Sequence, residues 1–249
     1  MTNMKLRTNL GPYLSIIATA SLLQLSPNVQ AQESANAELN SCVRNEQIVT
    51  TAKGAGAGAI AGLSAMFVTH KSNDAVKGAL IGAAVGGAAG FATAYYTAID
   101  TCYKKNPSWK PESKLERTKS YEELKKKIKY KPSQGIVARA ETVDIVAPVK
   151  ADSQAEMNST FYVMTPDGAE TNITVERKLF VVTGDKEEQV VFPGDATQPY
   201  TVAGGEQRDT VRIPIAKDTK AGTVYRVEFN IAAAGMPPST ASKTFAVTE

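Results

Sequence analysis

Few residues in this sequence can do chemistry, and their types narrow the chemistry that is open. Of 249 residues, one is His and two are Cys. Zinc cages draw on more Cys and His than this, so zinc chemistry of the usual kind is excluded. A Ser-His-Asp or Cys-His arrangement would have to use His70, which stands in the polar stretch His70-Lys71-Ser72-Asn73-Asp74 and reads as a solvated turn residue. Asp167 and Asp185 lie in Gly-bearing turns without the dense carboxylate spacing of a calcium loop. Gly204-Gly205 is a lone turn with no helix after it, so it is no phosphate cradle. The expectation is no catalytic residue, no metal site, no cofactor and no evident small-molecule substrate. An enzyme is the least favoured class, with a Ser-Lys hydrolase its least implausible form.

The two cysteines are chemical only if they meet, and three features bear on that. Lys5 and Arg7 precede an apolar stretch from Tyr13 to Leu25, Pro27 comes after it, and Val29-Gln30-Ala31 offers an A-x-A-like site. This order reads as a secretory signal peptide over residues 1–31. A membrane anchor is the rival, but the apolar stretch would span only ~20 Å of a ~30 Å hydrocarbon core. No Cys stands beyond it at a distance suited to lipid attachment.

Next come two glycine ladders with a four-residue step, Gly54, Gly58, Gly62 and then Gly78, Gly82, Gly86, Gly90. Four residues is just over one helical turn, so each ladder predicts a groove along one helix face, where small residues let backbones approach closely. If the chain folds back around Ser72, partners are residues whose numbers add to 144. Gly54 then faces Gly90, Gly58 faces Gly86, Gly62 faces Gly82, and Cys42 faces Cys102. An exported chain meets an oxidising compartment, where such a pair is bridged. Two free buried thiols are the alternative.

Gly78 to Ile99 runs 22 residues without a charge, long enough to cross a bilayer, and Tyr95, Tyr96 and Tyr103 stand where interfacial aromatics are expected. Ala and Gly are weakly lipophilic, so a hairpin that packs on itself, on protein or into a homo-oligomer stays open. These residues resemble the glycine-zipper, two-transmembrane-segment domain of bacterial envelope proteins, over about residues 42–102. The resemblance implies a structural role at the outer membrane or facing the periplasm and carries over no catalytic residue. The chain departs from the lipoprotein members by lacking the lipidated Cys.

Charge divides the remainder of the chain into two regions. Tyr103 to Lys131 holds 11 basic and 4 acidic residues, whereas Pro132 to Glu249 holds 11 basic and 16 acidic. Leu115, Tyr121, Leu124 and Ile128 recur at near-helical spacing within Glu112 to Tyr130 and predict one amphipathic helix. Its Lys125, Lys126, Lys127, Lys129 and Lys131 could lie on an anionic lipid surface or an acidic envelope polymer, or simply form a solvated face. Nucleic acid is a poor partner for an exported chain whose basic run has no interleaved stacking aromatics.

From Ile136 the period changes to two. Seven short runs, Thr142 to Val149, Ser159 to Met164, Asn172 to Val182, Gln189 to Phe192, Thr210 to Ile215, Thr223 to Ile231 and Lys243 to Val247, predict a β-sandwich. Ile213-Pro214-Ile215, Gly222-Thr223-Val224-Tyr225 and Phe229 resemble the late strands of bacterial immunoglobulin-like domains, loosely and over about residues 136–249, without an inter-sheet Cys pair or a core Trp.

The fold class expected is α+β in two domains, a glycine-zipper antiparallel helical hairpin plus a C-terminal antiparallel β-sandwich. The division is 1–31 signal peptide, 32–105 disulfide-closed hairpin, 106–133 basic helical connector and 134–249 immunoglobulin-like sandwich. The function expected is a non-enzymatic envelope protein, at the periplasm or outer membrane, anchored or oligomerised in a membrane and presenting the sandwich to envelope protein partners. The alternative is a soluble periplasmic binding or assembly factor whose hairpin packs against protein.

Overall fold

The computed structural model describes residues 37–48, 73–233 and 235–249, and over 73–86 the backbone alone. The signal peptide, His70, the turn at Ser72 and Gly54, Gly58 and Gly62 lie outside the described residues. Helix α1 covers 37–48 and helix α2 covers Asn73–Lys105. Nine strands come after them, β1 Lys114–Ser120, β2 Val137–Ile145, β3 Gln154–Met164, β4 Thr171–Thr183, β5 Lys186–Val190, β6 Thr197–Val202, β7 Gly205–Pro214, β8 Val224–Ala233 and β9 Ser239–Ala246, with helix α3 at Tyr121–Ile128.

The strands form two antiparallel sheets. One has the order β1-β7-β3-β2; the other has β5-β4-β8-β9, with β6 also paired to β4. Period-two alternation explains their inner faces. On β4 the buried positions are Ile173, Val175, Arg177, Leu179 and Val181, and on β8 Tyr225, Val227, Phe229 and Ile231. The sheets meet through these faces, and Phe161 of β3 stacks on Phe229 of β8 with ring centroids 5.6 Å apart. Each of the seven expected runs overlaps a strand, though 146–149 and 191–192 lie beyond the ends of β2 and β5, and β1 and β6 are added. The mixed α+β class and the sandwich stand; the glycine-zipper hairpin is not shown.

Three expectations are corrected. First, the second glycine ladder does not run along one helix face. Gly87 takes φ 72 and ψ −178, a left-handed break that glycine alone tolerates readily, so Gly86 and Gly90 sit on either side of a kink. Gly54, the expected partner of Gly90, lies outside the described residues, so the crossing itself is not tested.

Second, Tyr96 and Tyr103 of α2, expected at a membrane interface, lie in the protein core. Tyr96 is fully buried, Tyr103 nearly so, and both belong to one core cluster with Ala92, Ile99, Cys102 and the inner faces of both sheets. Tyr96 meets Tyr225 of β8 edge-on at 6.3 Å, and its hydroxyl donates to the carbonyl of Pro214 at the end of β7, 3.1 Å away. The helix thus closes one end of the sandwich by touching both sheets. Burial raises the pKa of Tyr96 well above its ordinary value and pushes that of Tyr103 up to about 12. Among the described residues no helix is long and apolar enough to cross a membrane.

Third, the connector is not one helix over Glu112 to Tyr130. Lys114–Ser120 pairs antiparallel with β7 as an edge strand, and only Tyr121–Ile128 is α-helical. A capping box decides the switch: the Ser120 side chain accepts from the Glu123 backbone N–H, and Glu123 accepts from the Ser120 N–H at 2.8 Å.

Candidate functional site

The expected sulfur pair meets. Cys42 of α1 and Cys102 of α2 are bridged, across 60 residues of sequence. The bridge is chemistry of an oxidising environment, and it ties α1 to the helix that closes the sandwich. Lys105 adds an ion pair to Glu46 at 2.5 Å. Val43 is buried in the main core beside Cys102, and Leu39 packs partly buried against it.

The expected basic cluster divides. Lys127 lies 3.6 Å from Glu206, which Lys119 and Thr118 also contact. Lys125 stands over the Tyr121 ring, 5.4 Å from its centroid. Lys126, Lys129 and Lys131 remain exposed. Glu206 sits almost fully buried under α3; burial opposes its charge, but Lys119, Thr118 and Lys127 hold its carboxyl below the usual range.

Tyr121, Leu124, Ile128 and Tyr130 pack with Val137, Tyr162 and Met164 into a second, smaller cluster. Tyr162, Met164, Val137 and Glu206 register side by side on the outer face of the first sheet, so α3 covers one end of that face. Gly204 and Gly168 explain its seat. A Cβ on Gly204 would stand 2.7 Å from the Tyr121 ring, and one on Gly168 3.4 Å away. The Tyr121 hydroxyl donates to the Thr165 carbonyl at 2.9 Å. The Gly204-Gly205 turn is therefore a seat for an aromatic ring. Asp167 is used locally, accepting from the Ala169 N–H at 3.0 Å.

The opposite end of the same outer face carries a cleft of about 640 Å³ beside Trp109, the sole Trp of the chain. Its floor is sheet, with Lys114 of β1 registered to Thr210 of β7 and Thr210 to Asn158 of β3. Gln154 and Arg212 complete that side, and Leu39 of the disulfide-tethered α1 forms part of the other. The size is that of a small-ligand site.

The wall that bears Trp109 is fixed from within. Pro107–Trp109 is one 3₁₀ turn, capped by Asn106, whose side chain accepts from the Ser108 N–H and hydroxyl. Lys110 pairs with Asp195 at 2.6 Å, and the Ser113 hydroxyl donates to Gln198 Oε1 at 2.9 Å. Behind these lies Arg177, fully buried, whose Nε and Nη2 each donate to Asp209 at 2.7 Å while Nη1 donates to the Asp195 carbonyl and Gln198 Oε1, both at 2.8 Å. Burial works against the guanidinium charge, and the Asp209 carboxylate outweighs it, raising the pKa of Arg177. The bidentate pair spans the two sheets from β4 to β7, and its outward hydrogen bonds reach the residues that hold the 110–113 segment.

Trp109 and this strut were missed in the sequence. Parity offered a signal for the strut: Arg177 and Asp209 occupy the inward-facing positions of their strands, between Val175 and Leu179 and beside Val211. Trp109 offered only its position between Pro107 and Pro111. Among the described residues no group of three or more His, Cys, Asp or Glu is placed to hold a metal ion.

No protein-family model matches the chain, and no curated protein matches it in sequence. Solved structures overlap it over about half its length. The CARDB domain of a Pyrococcus furiosus protein, solved in complex with di-metal ions, is 10% identical over 46% of this chain and 94% of its own, with a TM-score of 0.31. β-Glucosidase 3B from Thermotoga neapolitana in complex with α-D-glucose is 14% identical over 46% of this chain and 16% of its own, with a TM-score of 0.31. Red sea bream transglutaminase is 14% identical over 51% of this chain and 18% of its own, with a TM-score of 0.30. Likenesses of this size transfer no activity or ligand to this chain.

Proposed function

We propose that the chain is an exported, non-enzymatic binding or assembly factor of the bacterial periplasm, built on an immunoglobulin-like sandwich whose helical segment packs against protein. One observation carries the reading. Of the described side chains of α2, Ala92, Tyr96, Ile99 and Tyr103 are spent on the main core with the inner faces of the sandwich. The disulfide locks that arrangement and supports an oxidising compartment. One surface open to partners is the outer face of the first sheet, with the Trp109 cleft at one end and the exposed ammonium groups of Lys126, Lys129 and Lys131 near the other. Proteins of the envelope are the partners this reading expects.

Fractionation of the exported chain tests it. After carbonate extraction the mature protein should stay in the supernatant, with Cys42 and Cys102 bridged. Retention in the membrane pellet would refute the reading in favour of a membrane-anchored protein.

A further inference from the structure

Resting on the reading of the chain as a binding factor, we propose that the Trp109 cleft binds a neutral oligosaccharide. Charge excludes the first rival. Lys110, Lys114 and Arg212 line the cleft, and each already has a carboxylate, in Asp195, Glu116 and Glu156 respectively. An anionic ligand would have to displace these carboxylates or accept their repulsion. The three cations and their three carboxylates leave the lining without surplus positive charge to draw an anion.

The hydrogen-bonding groups point the same way. Gln154, Thr210 and the Arg212–Glu156 pair lie along neighbouring strands, and Ser108 and Glu112 also line the cleft; the Thr210 hydroxyl donates to Asn158 and the Ser108 hydroxyl to Asn106, each at 2.7 Å, which leaves their oxygens to accept. These are donors and acceptors in close alternation, which suits a ligand whose own groups are both at once. Hydroxyls are such groups. An ion pair offered edge-on can donate through one partner and accept through the other, satisfying vicinal hydroxyls without losing its own charge balance.

Trp109 supplies the remaining element. Half-buried against the core on a proline-bracketed turn, it offers an apolar ring at the border of a polar floor. A pyranose has the matching asymmetry, with a face of C–H bonds and a rim of hydroxyls. Gln154 and Glu112 add polar groups around the cleft that a sugar's hydroxyl rim can meet and an apolar ligand cannot. The rigid backing of the 110–113 segment by the Arg177 network means that little ordering is needed on binding.

The single Trp makes the test direct, since all tryptophan emission of the mature chain comes from the cleft. Chitotetraose, cellotetraose and maltotetraose are titrated into the full mature protein, beside tetragalacturonate and a set of neutral and acidic peptides. At least one neutral tetrasaccharide should shift Trp109 emission to the blue with an affinity unchanged by added salt. Trp109→Ala should weaken that binding, read by calorimetry, by about tenfold or more, the order of loss seen when a stacked ring is removed. Trp109→Phe should recover part of it, and circular dichroism should show both variants folded. A response to no neutral sugar overturns the proposal, as does a response only to tetragalacturonate that collapses with salt. A response to peptides alone overturns the sugar while leaving the binding-factor reading intact. Recovery in the membrane pellet bears on that reading and not on the emission result.

Discussion

Two of the helices that lie against the sandwich are held in different ways. α2 puts Tyr96, Ile99 and Tyr103 into the main core and reaches both sheets, through Tyr225 and the Pro214 carbonyl. α3 rests outside the first sheet on a cluster of its own, with Leu124 at its centre and Tyr121 seated on glycine turns. A helix that fills the gap between two sheets is part of their packing, so its loss is a loss for the whole. A helix laid on one face can leave locally. The difference also places Ala92 to Tyr103 of α2 in the protein core, which hydropathy alone does not foretell.

The largest expected effect that tests this contrast is Tyr96→Ala. It removes a fully buried ring and the hydrogen bond to Pro214, and should cost about 3–5 kcal/mol, lowering the single melting transition of the whole protein. A variant that melts α2 first and leaves the sandwich transition unmoved would contradict the shared core. Next in size is the bridge. Cys42→Ser with Cys102→Ser releases a constraint over 60 residues, worth ~4 kcal/mol in the chain-entropy model, and the loss should again appear in the global transition by calorimetry. Smaller, and confined to α3, is Gly204→Ala. The new methyl meets the Tyr121 ring, itself held by Thr165, so α3 should loosen at a cost of about 1–3 kcal/mol, with proteolysis near Lys125 rising while the melting transition of the sandwich stays.

A further effect is in pH. Burial raises Tyr96 and Tyr103 above the ordinary tyrosine pKa of about 10, which is the value in the unfolded chain. The unfolded state therefore loses protons first as pH rises. Stability from these groups is present in full below pH ~10 and declines above it, through the Tyr103 value of about 12. Absorbance at alkaline pH should show these tyrosines ionising late in the folded protein and at the ordinary value in denaturant.

The sequence made some of this legible for identifiable reasons. Two cysteines in an exported chain leave one pairing, and strands with alternating burial such as Tyr225 to Ile231 announce their period. β6 was hidden by Pro199, which is tolerated because β6 is an edge strand, paired to β4 alone. β1 was hidden because Lys114 to Ser120 has few apolar residues to show a period, and its neighbour's Leu124 and Ile128 extended a helical pattern over it. The Ser120-x-x-Glu123 box was present and marks where the helix starts. The docking of α2 was obscured differently. Ala92, Tyr96, Ile99 and Tyr103 form a stripe of helical spacing, but the stretch before them is uniformly uncharged, so the stripe has little contrast. A run that can face either lipid or a sheet does not state which one it meets.

Hydrogen exchange of the full mature chain in detergent-free buffer tests the central claim most directly. If α2 closes the sandwich, amides from Ala92 to Tyr103 should exchange as slowly as those of β8 at Tyr225 to Ile231, through the same global opening, while those of α3 exchange faster. Rapid exchange across 92–103 beside a protected β8, with protection regained only on adding lipid vesicles, would contradict it.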